Sequence, residues 1–189
     1  MRLVLSPDPV LRQKCEPVDE SEIKKLRSTA KNMAKLMYES NGCGIAAPQV
    51  GISKRLMVID CTIVDPSDEE EEEKPVQNPT FYINPQIVAH SEEKIVDDEG
   101  CLSIPGITVP IKRYTAITVE ALNLKGETFV VEAEDFHARA IQHELDHLDG
   151  KTMFEHLDTI SRIEAFKAYD DALLRGAKPG DTSVGQADY

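Results

Sequence analysis

Residues 133–150 read AEDFHARAIQHELDHLDG. Apolar side chains recur there at helical spacing and Asp149-Gly150 supplies a stop, so Ala133 to Leu148 is expected to be a helix. Side chains four apart on a helix lie about 40° apart around its axis, one turn above another. His143 and His147 therefore share a face and can grip one metal ion. Glu144 sits beside them, too far round to ligate easily but able to take a proton from a water that the ion activates. Ile141, Leu145 and Leu148 occupy the opposite side and suit a core. The other elements are therefore expected to pack around this helix.

A catalytic site of this kind needs a third protein ligand and an open position. Downstream the choice is poor. HELDHLDGKTM nearly completes the metzincin spacing, but Met153 stands where the third histidine belongs, and Glu164 lies in a stretch that reads as a plain amphipathic helix. Upstream, Glu99-Gly100-Cys101-Leu102-Ser103 offers a thiol beside a glycine, and a thiolate with two imidazoles makes a soft site with one position left for water. Away from such a pair, Cys101 would read as a small buried apolar residue. His90, His137 and His156 stand in no metal spacing and read as surface or hydrogen-bonding residues.

The rest of the chain reads as α+β. An amphipathic helix is expected from Ser21 to Ser40, with Ile23, Leu26, Ala30, Met33, Ala34 and Met37 on one stripe and Asn41-Gly42 as its stop. Strands are expected at 55–60, 81–88, 116–121 and 127–133, with a bend or sheet edge at Pro85 and a hairpin turn at Leu124-Lys125-Gly126. A C-terminal helix follows at about 159–174. The expected architecture is small antiparallel or mixed sheets around the central metal-binding helix, flanked by N- and C-terminal helices. Residues 1–175 read as one catalytic domain, and the Gly-, Pro- and Ser-containing tail 176–189 as disordered.

The 189 residues carry 34 acidic and 21 basic side chains, a net charge of -13, which argues against general nucleic-acid binding. Part of the excess is one acidic surface loop at 68–74, inside a stretch from Asp65 to Asn78 that reads as solvated. No apolar run approaches a membrane span, and MRLVLSPDPVLR lacks the layout of a signal peptide. Four cysteines with no C-x-x-C pair read as reduced thiols, so the expected location is the cytoplasm.

One further stretch carries chemistry. Gly42-Cys43-Gly44-Ile45-Ala46-Ala47-Pro48-Gln49 is small and uncharged; its glycines allow close approach, and Gln49 can donate a hydrogen bond to a developing oxyanion. GCGIAAPQ, EGCLS and QHELDH, in that order and spacing, resemble the three motifs of the peptide deformylase family, and the similarity extends from VLSPDPVLR to about residue 155. The resemblance implies Cys101, His143 and His147 as ligands of one divalent metal, typically ferrous iron, with nickel, cobalt or zinc able to replace it. It implies Glu144 as general base and acid, and Gln49 with the Leu102 N–H as holders of the oxyanion. The implied substrate is the N-formylmethionyl end of nascent peptides, which brings in the ribosome exit region as a candidate partner.

Gly42, Cys43, Gly44, Glu99, Gly100, Phe136, Arg139 and Ala140 are expected to bind that substrate. Phe136 and Ala140, one helical turn apart, would line the methionine pocket, and Arg139 would lay its stem along it with its head in water. Asp146 is expected to face away from the metal and pair with Arg113. The sequence departs from the family pattern at Cys43, where an aliphatic residue is usual, and at Thr108, where some members have arginine.

Overall fold

In a computed structural model, which describes residues 1–62 and 76–181, the four residues Leu56–Ile59 form a strand buried on both faces. The chain runs α1 (Glu20–Glu39), β1 (Gly44–Ala46), β2 (Leu56–Ile59), β3 (Thr80–His90), β4 (Lys94–Cys101) and β5 (Ile104–Tyr114). It continues through β6 (Ala116–Leu122), β7 (Thr128–Glu134), α2 (Asp135–Leu148) and α3 (Thr159–Leu174). Five strands make an antiparallel sheet in the order β1-β2-β3-β6-β7, and β4 and β5 form a separate two-stranded hairpin.

Alternation across the strands sends successive side chains to opposite layers. Val58 and Leu56 meet Ala30, Met33 and Met37 of α1 on one side of the sheet. Met57 and Ile59 meet Ala138, Ile141, Leu145 and Leu148 of α2 on the other. This is why LMVI is a continuous apolar run rather than an alternating one. A third apolar cluster joins Ile104, Val109 and Ile111 of β5 to Phe154 and to Ala165 and Tyr169 of α3. Tyr169 anchors that helix by donating its hydroxyl to the Ser6 carbonyl at 3.0 Å.

Local chemistry sets the ends. Asp19 and Glu22 close a capping box at the start of α1, and Asn41 stops the helix in a left-handed conformation (φ 53°). Pro85 does not mark an edge, since β3 is the middle strand of five. It sits instead in a register break between Ile83 and Gln86, where Asn84 turns left-handed and its side chain bonds both Val18 N–H and Val18 C=O. Asp60, just past β2, accepts from Thr62 N–H, from Asn78 N–H at 2.7 Å and from the Tyr38 hydroxyl at 2.6 Å. That carboxylate thus ties together both ends of the segment that contains the acidic block, which itself lies outside the described residues.

The β4–β5 hairpin was not among the expected strands, and it carries Cys101. The start of the expected disordered tail is also in place: residues 176–181 follow α3 as an ordered turn, with Gly106 N–H donating to Asp181 C=O at 2.7 Å. Residues 182–189 lie outside the described residues. Among the described residues, no helix is long and apolar enough to cross a membrane.

Candidate active site

The inner face of α2 supplies His143 and His147, both buried, with ring centroids 5.1 Å apart and the rings edge to face. The tip of the β4–β5 hairpin brings Cys101 over them. Its Sγ lies 3.2 Å from His147 Nε2, and one donor atom from each of the three residues falls within 4.8 Å of the others. His143 is oriented from behind: its Nδ1 lies 3.1 Å from Glu99 Oε2, which turns Nε2 inward. Burial alone would raise the Cys101 thiol, but His147 and His143 pull it down to about 5, giving the thiolate that binds metals. The donor set fits a soft divalent cation, with two imidazole nitrogens and one thiolate converging from two elements. Glu144 Oε2 is buried with no hydrogen-bond partner among the described residues, which leaves an acceptor beside the cluster for a ligand.

Glu144 lies beside the cluster without joining it. Burial raises its carboxyl to about 7, against the opposing pull of His143 and His147. Gly44 of β1 packs directly on it: a β-carbon there would stand 2.6 Å from Glu144 Oε1. Gly42 is less constrained, since a β-carbon would reach 2.8 Å from the tip of the half-buried Leu102 side chain, which can shift. Gly44 is therefore needed for close packing against the buried Glu144. Gln49 is buried; its Oε1 accepts from Ala46 N–H at 2.7 Å, which aims Nε2 at Cys101 Sγ, 3.7 Å away. That single bond fixes which end of the amide faces the site.

Beneath the cluster lies a buried ion-pair network. Arg113 of β5 binds Glu99 through two bonds of 2.9 Å and Asp146 through one of 2.6 Å. The expected Asp146–Arg113 pair is thus present. His156 adds a bond of 2.6 Å to Asp146, in keeping with its reading as a hydrogen-bonding residue, although the sequence did not name this partner. Arg139 differs from expectation. Its head is buried rather than in water, bonded to Asp97 C=O at 2.8 Å and facing Glu99 at 3.2 Å. The cause is the hairpin, which folds over that end of α2. His90 stacks on Tyr114 and His137 is half-buried; neither belongs to the cluster.

A cavity of about 330 Å³ opens above these groups. Gly42, Cys43, Gly44, Glu99, Gly100, Phe136, Arg139 and Ala140 line it together with Cys101, Leu102, His143 and Glu144. Asn41, Asp98, Thr108, Gly180 and Asp181 line it as well. Asn41 and Asp98 adjoin motif residues and could have been found on that ground, whereas Gly180 and Asp181 carry no sequence signal. A larger cavity of about 480 Å³, between Arg55, Lys94 and Tyr114, lies away from the three donor atoms.

An HExxH helix whose third donor is an upstream cysteine defines a class of metal-site hydrolases distinct from peptidases with a downstream ligand. The family model for polypeptide deformylase matches residues 1–162, and the chain belongs to that family. A peptide deformylase of Rhizobium meliloti is 41% identical over 177 residues, spanning 93% of this chain and 96% of the relative. One of Acidobacterium capsulatum is 44% identical over 173 residues, spanning 92% and 91%. The crystal structure of a peptide deformylase from Legionella pneumophila superposes with a TM-score of 0.78 at 33% identity, covering 94% of this chain and 98% of that one.

The network yields a stability prediction. Burial opposes ionisation of Glu99 and Asp146, yet their partners hold both carboxyls down at about 2, against ordinary values of 4.5 and 3.8. Folded pKa values below the unfolded ones mean that the stabilisation is present above pH ~4.5 and is lost as pH falls toward ~2. Arg113→Met takes the guanidinium from two buried carboxylates, leaving Glu99 to Arg139 and His143 and Asp146 to His156, and is expected to cost about 3 kcal/mol at pH 7, the lower end for breaking a buried pair. Urea unfolding of both proteins from pH 7 to pH 3 checks this: the gap narrows as pH falls. A gap independent of pH would contradict it.

Proposed function

We propose that this enzyme hydrolyses the formyl group from the N-formylmethionyl end of nascent peptides, with one divalent metal held by Cys101, His143 and His147. The observation that carries the reading is the convergence of those three donors beside a buried Glu144 that takes no part in the cluster. Ferrous iron is the native metal in this reading, with nickel, cobalt or zinc as replacements, because a thiolate with two imidazoles suits borderline-soft divalent ions. The four cysteines are free of disulfides, in keeping with work in the cytoplasm, near the ribosome exit region where such peptides emerge.

Hydrolysis of a formamide needs an activated water, a polarised carbonyl and a proton for the departing amine. A divalent ion in the site would supply Lewis acidity, lowering the pKa of water and polarising the formyl oxygen. Glu144 takes the proton from the attacking water and returns it to the amine nitrogen; a carboxyl raised to about 7 is suited to both transfers. Gln49 Nε2 and the Leu102 N–H donate to the formyl oxygen as negative charge builds on it. Gly42 and Gly44 keep the wall thin enough for the peptide to reach Glu144. Phe136 and Ala140, with the Arg139 stem, hold the methionine side chain against Cys43 on the opposite wall, and Glu99 and Gly100 complete the lining.

A peptidase reading is weaker. It requires a third ligand after His147, and Met153 is buried in the apolar cluster under α3.

Glu144→Ala is expected to retain one metal per chain and to lower turnover of formyl-Met-Ala-Ser by 10⁴-fold or more, the upper end of the roughly 10²- to 10⁴-fold typical of acid–base groups. Formate release with metal analysis checks both halves, and turnover near the parent rate would sink the assignment. Cys43 tests the pocket separately. Replacing its small thiol by isoleucine fills space, so Cys43→Ile is expected to favour formyl-Met over formyl-Phe peptides by about 1–3 kcal/mol relative to the parent. Equal relative rates in variant and parent would remove Cys43 from the pocket.

A further inference from the structure

We propose that residues 176–181 are a wall of the peptide cleft, and that Asp181 reads the charge of the residues following methionine. The inference rests on the deformylase reading of the site. After α3, Gly176 turns the chain with φ at +87° and Ala177 N–H returns to Ala172 C=O at 3.0 Å. A tight turn follows: Asp181 N–H donates to Lys178 C=O at 3.0 Å, and Lys178 N–H to Asp181 Oδ2 at 2.7 Å.

The turn is fixed on both sides of the cleft. Gly106 of β5 donates to Asp181 C=O at 2.7 Å. Opposite, Gly180 lies against the Ser40 carbonyl at the end of α1, where a β-carbon would be driven into the oxygen. Its φ of +96° adds a second reason that no other residue fits. The segment therefore spans from the hairpin that carries Cys101 to the end of α1, just before the loop that carries Gly42. Gly180 and Asp181 line the same cavity as His143 and Glu144.

The charges around that cavity are unequal. Glu99 and Arg139 are buried and paired, and Glu144 lies buried at the floor. Among the described residues, the charged lining residues exposed to solvent are Asp98 and Asp181, and both are acidic. Lys178, the basic residue of the segment, does not line the cavity. A peptide leaving the methionine pocket thus passes carboxylates, so a lysine or arginine after methionine is favoured over glutamate or aspartate. Being exposed, the preference weakens as salt rises.

Two variants separate shape from charge. Gly180→Val dislodges the turn while keeping its length and charge; Asp181→Asn removes the charge alone. Formate release by the metal-loaded enzyme is measured on formyl-Met-Ala-Lys, formyl-Met-Ala-Glu and formyl-Met-amide, which is too short to reach the rim. Asp181→Asn is expected to lower the Lys-to-Glu ratio of kcat/KM by roughly 2- to 5-fold, the worth of one exposed charge contact. Gly180→Val is expected to raise KM for both tripeptides more than for the amide, with the change in KM rather than kcat. If the parent is active and neither variant moves the ratio or the KM values, the cleft-wall proposal falls alone. If the parent releases no formate from any substrate, the reading of the site falls and takes this proposal with it.

Discussion

Cys101 reaches the two histidines because Arg113 holds Glu99 and Asp146 at once. Glu99 stands two residues before the cysteine on β4, Asp146 belongs to α2, and the guanidinium comes from β5. One side chain thereby fastens the hairpin to the helix, and the same Glu99 orients His143. The arrangement is costly to assemble, since each charge is removed from water. The cost is offset by geometry: two bonds of 2.9 Å and one of 2.6 Å leave the buried carboxylates matched to a planar donor. Loosening Arg113 would therefore affect folding and the spacing of the three donors together.

Around that anchor the layers do separate work. The sheet and α1 bury one apolar cluster, the sheet and α2 another, and β5 with α3 a third. The candidate site lies where the second and third clusters meet, so its metal-facing floor on α2 and β4 is backed by packed side chains, while the loop at 41–43 and the turn at 180–181 complete its rim. Glu144 is the clearest consequence. Burial raises its carboxyl to about 7, and Gly44 lets the sheet close over it without a clash. Gln49 is held in the same way, its oxygen spent on Ala46 so that only the amide nitrogen faces inward.

The legible parts of this molecule were those governed by local periodicity. The i, i+4 spacing of His143 and His147 fixed their shared face, and the same geometry sent Asp146 outward to Arg113. Helix α1 showed through its apolar stripe, and α3 also lay where expected. The β4–β5 hairpin did not show. β4 carries Asp97 and Asp98 in an exposed run, and Pro105 and Pro110 mask the alternation of Ile107, Val109 and Ile111 in β5, so Cys101 was legible through ligand chemistry and the motif resemblance rather than through strand pattern. Arg139 was misjudged because helix geometry alone does not reveal what folds over a helix end. Gly180 and Asp181 lay in a stretch whose composition reads as loose, yet their order comes from backbone contacts with Gly106 and Ser40, which composition does not encode.

X-ray absorption at the metal edge of anaerobically purified, active protein tests the ligand set most directly. The account predicts one metal per chain with one sulfur neighbour at about 2.3 Å and two nitrogen neighbours at about 2.0–2.1 Å if the ion is zinc, and a similar S-N-N shell if it is iron. An active enzyme whose metal has only nitrogen and oxygen neighbours would contradict the assignment of Cys101, and with it the central arrangement described above.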